Sequence, residues 1–596
     1  MKHFLAIGIV MGMALLSLLG CTKHTDKSAG KVLNAALVSD IKGLDPVTSN
    51  DLYTHIALVQ VYEGLLQYNY LKRPYELEPL LSQAMPVISE DGVTYTFRLR
   101  ENIFFHDDPA FNGMARPLKA SDVVFSFKRV ADPHLKSPNW WSFEGRIEGL
   151  DEFRKKLLTF KPPIDYDAYH VSGLAAPDDR TIVIKLTRPY RQFPYILTMA
   201  HTLIIAPEVV KKYGEEFLNH AVGTGPFVLK DWIRNQKLIF KRNSKYWDAT
   251  YPTEGEPQDQ IQGLLVDSGK KVPFVDEITL WVYVESQPLW LNFLQGNLDF
   301  GGIPKEAYDS VFDEKGEIKE EIKRKKIVIT KEEDPDIVFF VFNMEDPIVG
   351  KNKFLRQAVN CAIDRAEMIN LFYNNRAVIA NGPIPPGIWG YDPNLKNPYS
   401  FDLERAKGLK IKARELYQMS GGKGDIPTIL YDITNSTVAR QLAEQVSHEL
   451  TKIGLKIETR VGTWPQFQER MAKKQTQFTS YAWNADYPDP ENFLQLLYSK
   501  NESPGPNSAN FKNKEYDLLY EKMRDMADGP ERLEIIRKMV KIIHEEVPWV
   551  LMSHRIGYPI RHGWVRNFKR HAVSPGLFKY VDIDPAEKKK ILPLLR

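Results

Sequence analysis

The 596-residue chain sets 79 lysines and arginines against 76 aspartates and glutamates, a net charge of only +3 with the two signs interleaved, which excludes the basic face of a nucleic-acid binder. Only two cysteines, Cys21 and Cys361, are present. A chain of this length is expected to divide into two or three lobes held by apolar burial, which 43% hydrophobic residues supply without a disulfide.

The start, MKHFLAIGIVMGMALLSLLGC, places Lys2 before an apolar run from Phe4 to Leu19 and the small residue Gly20 before Cys21. That is the layout of a secretory signal. The run is shorter than the ~20 residues a membrane span needs, and the polar TKHTDKSAGK follows it. Leu18-Leu19-Gly20-Cys21 resembles the bacterial lipobox. The resemblance implies a signal peptide over 1–20, a lipid on Cys21 and a lipidated linker over 21–31, with several acyl chains holding a membrane more firmly than one.

VLNAALVSDIKGLDP reads as a strand closed by a Gly/Asp/Pro turn, and HIALVQVYEGLLQY as a helix. Over 75–189 the pattern turns to alternation, Thr94, Thr96 and Arg98 against Tyr95, Phe97 and Leu99, then Ile182, Ile184 and Leu186 against Val183 and Lys185. A sheet-rich block is predicted. Inside it lies one helix with Ser121 as its N-cap and Val124, Phe127 and Val130 on one face. The charged span 144–167 and the Pro-, Gly- and Gln-rich span 248–271 read as insertions. Further on, Val359, Ile363, Ala366, Ile369 and Tyr373 recur at helical spacing. A strand at 427–433, a helix at 437–453 stopped by Gly454, and a strand at 455–460 form a βαβ unit. A strand at 478–483, helices at 515–526 and 531–544, and a strand at 550–556 complete an α/β block with a buried sheet from about residue 300.

No GxSxG, HExxH, GxxxxGK[ST] or CxxC pattern occurs, so neither an enzyme, a cofactor nor a resident metal is expected. Gly223-Thr224-Gly225 supplies two of the three glycines of a dinucleotide fingerprint, and Pro226 stops the helix that should follow. It reads as a tight turn where the chain crosses between lobes. His544, His554, His562 and His571 share no face, which favours solvated or capping roles over a metal site. The stretch YAWNADYPDPENF, from Tyr481 to Phe493, stands apart. A strand delivers Trp483 into a loop where Asp486 and Asp489 lie close before prolines, and the residue preceding a proline is held extended. A partly dehydrated carboxylate among aromatic rings attracts an ammonium far more strongly than it would in water. Asp486 and Asp489 can therefore be read as amine-binding carboxylates or as caps for the helix starting near Glu491; composition alone favours the cap, which stays the reading for Asp489. A hydrolase using the pair as acid and base is the rival of another class, with no nearby nucleophile or metal ligand to support it.

VYEGLL, LEPLLSQAMPVISEDGVTYTFRLRENIFFHDD, KASDVVFSFKRVADP, VGTGPFVLKDW with its following RNSKYWD, FLRQAVNCAIDRAEMI, GPIPPGIWGYDP and WNADYPDPENF occur in an order seen in bacterial dipeptide- and oligopeptide-binding proteins. Over residues 32–580 the chain resembles the extracellular solute-binding family 5 receptors of ABC importers. The resemblance implies an α/β, periplasmic-binding-protein-like two-lobe hinge fold of class II, cluster C, with an extra domain inserted in the N-terminal lobe. Lobe I would comprise 32–70, 187–285 and 556–596, the insert 71–186, and lobe II 286–555. It also implies a short peptide lying extended between the lobes with its backbone paired to protein strands. Asp486 would bind its α-ammonium, Trp483 and Tyr481 would form the adjoining wall, and Gly223 and Thr224 would supply a backbone contact or hinge. A monomer, tethered by its lipid at the periplasm or cell surface, would deliver the peptide to ABC permease subunits. Where well-known members place basic residues for the peptide carboxylate, this chain has Ser480 and the neutral Asn435-Ser436-Thr437-Val438, and Arg440 is the nearest cation. The family also includes receptors for nickel complexes, haem, glutathione and oligosaccharides, so a non-peptide solute such as an amino sugar, metal chelate or haem is the alternative within the fold.

Overall fold

The computed structural model describes residues 30–595; the expected signal peptide, Cys21 and all but the end of the linker lie outside the described residues. Val32–Leu37, with half-buried and buried positions alternating, pairs in parallel with Glu277–Val282. Antiparallel Lys237–Arg242 and Phe227–Ile233 complete that four-stranded sheet. Within the long connection stands a second four-stranded sheet, ordered Val87–Ile88, Thr94–Arg98, Thr181–Lys185 and Leu174–Ala175. Its inward residues Tyr95, Phe97, Ile182 and Ile184 are buried, so the alternation in the sequence marks a sheet with one covered face. The helix Ala120–Ala131 begins earlier than Ser121 suggests. Lys119 takes the N-cap position, and the Asp122 carboxylate, three residues on, accepts the Lys119 N–H at 2.8 Å. One apolar core runs without a break from the first sheet into the second.

Two expected helices divide. HIALVQVYEGLLQY yields the helix Leu52–Val61 and then the strand Leu66–Tyr68. Gly64 lies between them, where a Cβ would stand 3.0 Å from the Leu197 carbonyl oxygen. The periodic run from Val359 to Tyr373 becomes Lys353–Ala362 and Arg365–Tyr373, because extended Asp364 accepts the N–H groups of Ala366 and Glu367 and starts a new helix.

The second lobe is built on a seven-stranded sheet. Its order is Glu332–Glu333, Trp549–Gly557, Asp336–Phe342, Phe478–Asn484, Ile429–Thr434 and Ile457–Gly462, with Ala377–Ile379 also paired to Trp549–Gly557. Ile429–Thr434, the helix Thr437–Thr451 and Ile457–Gly462 form the expected parallel βαβ unit. Apolar clusters on both faces bury Asp336–Phe342 almost completely. Two antiparallel strand pairs connect the lobes: Ile327–Ile329 with Ile560–His562, then Glu332–Glu333 with Ile556 and Gly557. Residues 286–329 form a separate small cluster around Trp290 and Phe293, packed against Ala36 and Trp281 of the first sheet. The boundary expected at 286 thus falls well before the larger sheet begins.

The four C-terminal histidines are largely withdrawn from water rather than solvated. His544, His554 and His562 each meet a different backbone carbonyl, of Asn381, Asp336 and Phe293, while His571 Nδ1 accepts the Ser574 N–H. No group of ligating side chains among the described residues is arranged to hold a metal ion. No helix among them is long and apolar enough to cross a membrane.

Candidate ligand-binding site

Between the lobes lies a cavity of about 460 Å³. Its first-lobe wall comes from the start of the helix Leu52–Val61 and from segments near Trp141 and His201; the second-lobe wall comes from Phe478–Asn484, the end of Ile429–Thr434 and the helix Trp464–Ala472. Aromatic rings line it: on the second-lobe wall Trp464 stacks on Tyr481 at 6.3 Å, and across the cavity Trp464 meets Tyr53 edge-on at 6.2 Å.

The strand carrying Tyr481 and Trp483 has an open flank. It pairs along its whole length with Asp336–Phe342, but its other neighbour, Ile429–Thr434, stays in register only at Tyr431 with Phe478 and Asp432 with Thr479. Beyond that point Ile433 and Thr434 keep only their pairing with Val461 and Gly462, which runs the whole length of that strand. Residues 480–484 therefore have a ladder on one side only, and all of them line the cavity. Alternate N–H and C=O groups of this stretch are available to an extended chain.

At the end of this strand stands Asp486, held by a residue the sequence reading did not single out. Asn492 Oδ1 accepts the Asp486 N–H at 3.0 Å and the Trp483 indole N–H at 2.9 Å, while its Nδ2 donates to Asp486 Oδ2 at 3.0 Å. Asn492 is fully buried, so one amide fixes the carboxylate and the indole together. Asp486 Oδ1 has no protein partner among the described residues. Burial pushes the Asp486 carboxyl up to about 6; the Asn492 hydrogen bond opposes that rise, and the charge of Glu491 adds to it. A carboxylate that is costly to ionise and keeps one oxygen free is a site for a cationic donor.

The other charged groups of the wall are committed. Asp432 is held by Arg460 and Arg470, and Asp51 caps its helix by accepting the N–H groups of Tyr53 and Thr54. Burial pushes His55 down to about 4 and His201 to about 3, so both are neutral at neutral pH. Arg555 is the one lysine or arginine among the lining residues. It bonds the buried Asp336 through Nε and Asn484 Oδ1 through Nη2 at 3.3 Å, with Nη1 unengaged by protein among the described residues.

Of the residues singled out in the sequence, Tyr481, Trp483 and Asp486 come together on the cavity wall; Gly223, Thr224 and Arg440 are not among the lining residues. Gly223 and Thr224 do not lie where the chain crosses between lobes. They pack inside the first lobe on the end of the helix Leu52–Val61, where a Cβ at Gly223 would stand 2.1 Å from the Val61 carbonyl oxygen and buried Thr224 donates to Glu63 at 3.0 Å. Arg440 is exposed on its helix, although Ala439 and Leu442 beside it line the cavity. Asp489 accepts the Glu491 N–H at 2.8 Å and receives Arg532 through both carboxylate oxygens, a structural commitment that keeps it from acting as partner to Asp486. Arg555, far along the chain from Asp486, carried no local signal; Asn492 had one, six residues after Asp486 in the same stretch.

A family model described as bacterial extracellular solute-binding proteins, family 5 Middle, matches residues 76–505. Among curated relatives, the di/tripeptide-binding protein 2 of Pseudomonas aeruginosa is 25% identical over 566 residues, covering 91% of this chain and 93% of its own. Heme-binding protein A of Haemophilus influenzae is 25% identical over 533 residues, covering 88% and 87%. Among solved structures, an ABC transporter-associated periplasmic binding protein from Helicobacter pylori in complex with the peptide STSA superposes with a TM-score of 0.74 at 24% identity, covering 93% of this chain and 98% of that one. The substrate-binding domain of an oligopeptide ABC transporter from Bacillus anthracis gives 0.76 at 22% identity, covering 93% and 99%. At these identities the likeness establishes the two-lobe fold.

Proposed function

Because the chain belongs to the bacterial extracellular solute-binding proteins of family 5, we propose that it is a lipid-anchored receptor that captures short peptides outside the cytoplasm and delivers them to an ABC importer permease. The observation that carries the peptide reading is the continuity of an unpaired strand flank at 480–484 with the free oxygen of Asp486 at its end. A peptide has the two features this arrangement complements: a backbone that adds to a strand, and one ammonium at a fixed end. Backbone pairing gives affinity without reading side chains, and a cavity of about 460 Å³ leaves room for varied ones. No bond need be made or broken. Capture and release follow from lobe closure, which the ligand favours only by what it adds in the closed state.

For a carboxylate the wall offers Arg555 rather than Arg440 as a donor, beside Asn484 at the strand end that leads into Asp486. Its charge is already shared with Asp336, so it gives direction more than net attraction. The lipobox-like Leu18-Leu19-Gly20-Cys21 supports a lipid on Cys21 and a location at the periplasmic or outer face of a membrane, where the receptor would stay concentrated near its permease.

Native mass spectrometry of the mature protein purified from its own cells tests the reading. A population of short peptides of varied mass is the expected result. A single bound non-peptide compound, such as haem, would replace it.

A further inference from the structure

The two lobes exchange one tyrosine each. Tyr487, immediately after Asp486, is the only buried residue between Leu280 and Trp564 that belongs to the apolar core of the first lobe. Tyr68, from the first lobe, is the only buried residue before Ile337, among the described residues, in a core of the second. Tyr195 stacks with both, with ring centroids 6.1 Å from Tyr68 and 6.2 Å from Tyr487. The Tyr68 hydroxyl also donates to the Asp486 backbone carbonyl at 3.3 Å.

Four residues beyond Tyr487 stands Glu491, fully buried, which accepts the hydroxyls of Tyr487 and Tyr520 from its own lobe. Across the cleft it meets Arg146 Nη2 at 3.5 Å and the Tyr190 hydroxyl at 3.4 Å. Arg146 is itself buried, its guanidinium carbon 3.9 Å from the centre of the Tyr190 ring, and its Nη1 has no hydrogen-bond partner among the described residues. Gln192 adds a further cross-cleft bond to Asp489 at 3.0 Å. The six residues 486–491 thus carry both the group aimed at the ligand and a set of contacts that only closed lobes can make.

We infer that Tyr487 and the Arg146–Glu491 pair form a closure latch, coupling occupation of Asp486 to the locking of the two lobes. The inference rests on the ligand-trap reading above. A contact made only in the closed state shifts the equilibrium by its own free energy, and a buried ion pair loses in desolvation much of what it gains in attraction. At 3.5 Å, with one guanidinium nitrogen unpaired, the latch holds an empty receptor weakly. An ammonium on Asp486 and the latch contacts are held by the same short segment, so ligand and latch favour the same closed state. A tighter latch would close the empty receptor and present it to the permease unloaded.

Spin labels at Val87→Cys and Met419→Cys, exposed at 74% and 84%, report the cleft by pulsed dipolar distance measurement, with Cys21 replaced by serine and Cys361 buried. The labelled chain is expected to show two distances when empty and the shorter one alone with saturating trialanine. Arg146→Met and Glu491→Gln should each move the empty population to the longer distance and raise the Kd for trialanine about tenfold, because apparent affinity scales with the closure-competent fraction. The double variant should be no worse than the weaker-binding single. Asp486→Asn should weaken binding without moving the empty distribution. Unchanged empty distributions in both latch variants, or additive effects in the double, would overturn the latch. Should Arg146→Met fail to fold, Tyr487→Phe removes one hydroxyl and must shift the empty population in the same direction. If trialanine binds no form of the protein, the peptide reading fails, while the empty distributions still decide the latch.

Discussion

Asp486 shows how one side chain's environment sets both its cost and its use. Its carboxyl is pushed up to about 6, so the folded protein binds that proton more tightly than the unfolded chain does. The stability it contributes is complete below the unfolded value near 4 and is lost as pH rises through about 6. Binding has the opposite sign, since only the ionised form pairs with an ammonium. By calorimetry, affinity for a free-amine tripeptide should be flat above about pH 7 and fall toward tenfold per pH unit below about 6, while the N-acetylated peptide shows no such slope from this group. Asp486→Ala should weaken the free-amine peptide by roughly 1.5–3 kcal/mol and leave the acetylated one nearly unchanged; equal losses would remove the ammonium role. Asn492→Ala leaves the Trp483 indole and the Asp486 amide without their acceptor. About 1–3 kcal/mol of folding stability should go, read from chemical denaturation, together with part of the free-amine preference. The carboxylate could be read in the sequence because aromatic neighbours and prolines surround it. Its clamp was less legible, because an asparagine in a helix's first turn looks the same whether it caps or holds a ligand group.

At the scale of elements, periodicity found most strands, and neighbours decided where helices stop. Alternation over Thr94–Arg98 and Thr181–Lys185 was enough, since one covered face leaves a two-residue period in the sequence. The break at Asp364 was harder to see, because apolar spacing runs straight through it while the cap acts on the backbone. Gly223 shows the same limit. Two glycines around Thr224 looked like a contact or crossing, yet they let a strand start pass against the Val61 carbonyl. Gly223→Ala should cost about 1–3 kcal/mol of stability, measured by denaturant titration, while the folded fraction keeps its peptide affinity. The open flank at 480–484 makes its own prediction. N-methylation of a ligand peptide bond that pairs there should cost about 0.5–1.5 kcal/mol, whereas methylation of an unpaired one should cost little.

For the whole molecule, the N-terminal segment predicts an address. Cys21→Ala should move the protein from the membrane pellet to the supernatant and abolish incorporation of labelled palmitate, with peptide affinity unchanged. The sequence by itself determined the family, the order of most elements and the α/β block, and it singled out the stretch that carries Asp486, because these are written in contiguous motifs and local periods. Only the tertiary structure decided which side chains line the cavity together. Arg555 joins the wall from a strand near the C-terminus, Gly223 and Arg440 stay off it, and Tyr68 and Tyr487 each cross into the other lobe's core. The physical reason is the chain's double passage between lobes. A cleft assembled from segments hundreds of residues apart leaves no spacing in the sequence to betray it, whereas a strand or a loop held by its own prolines does.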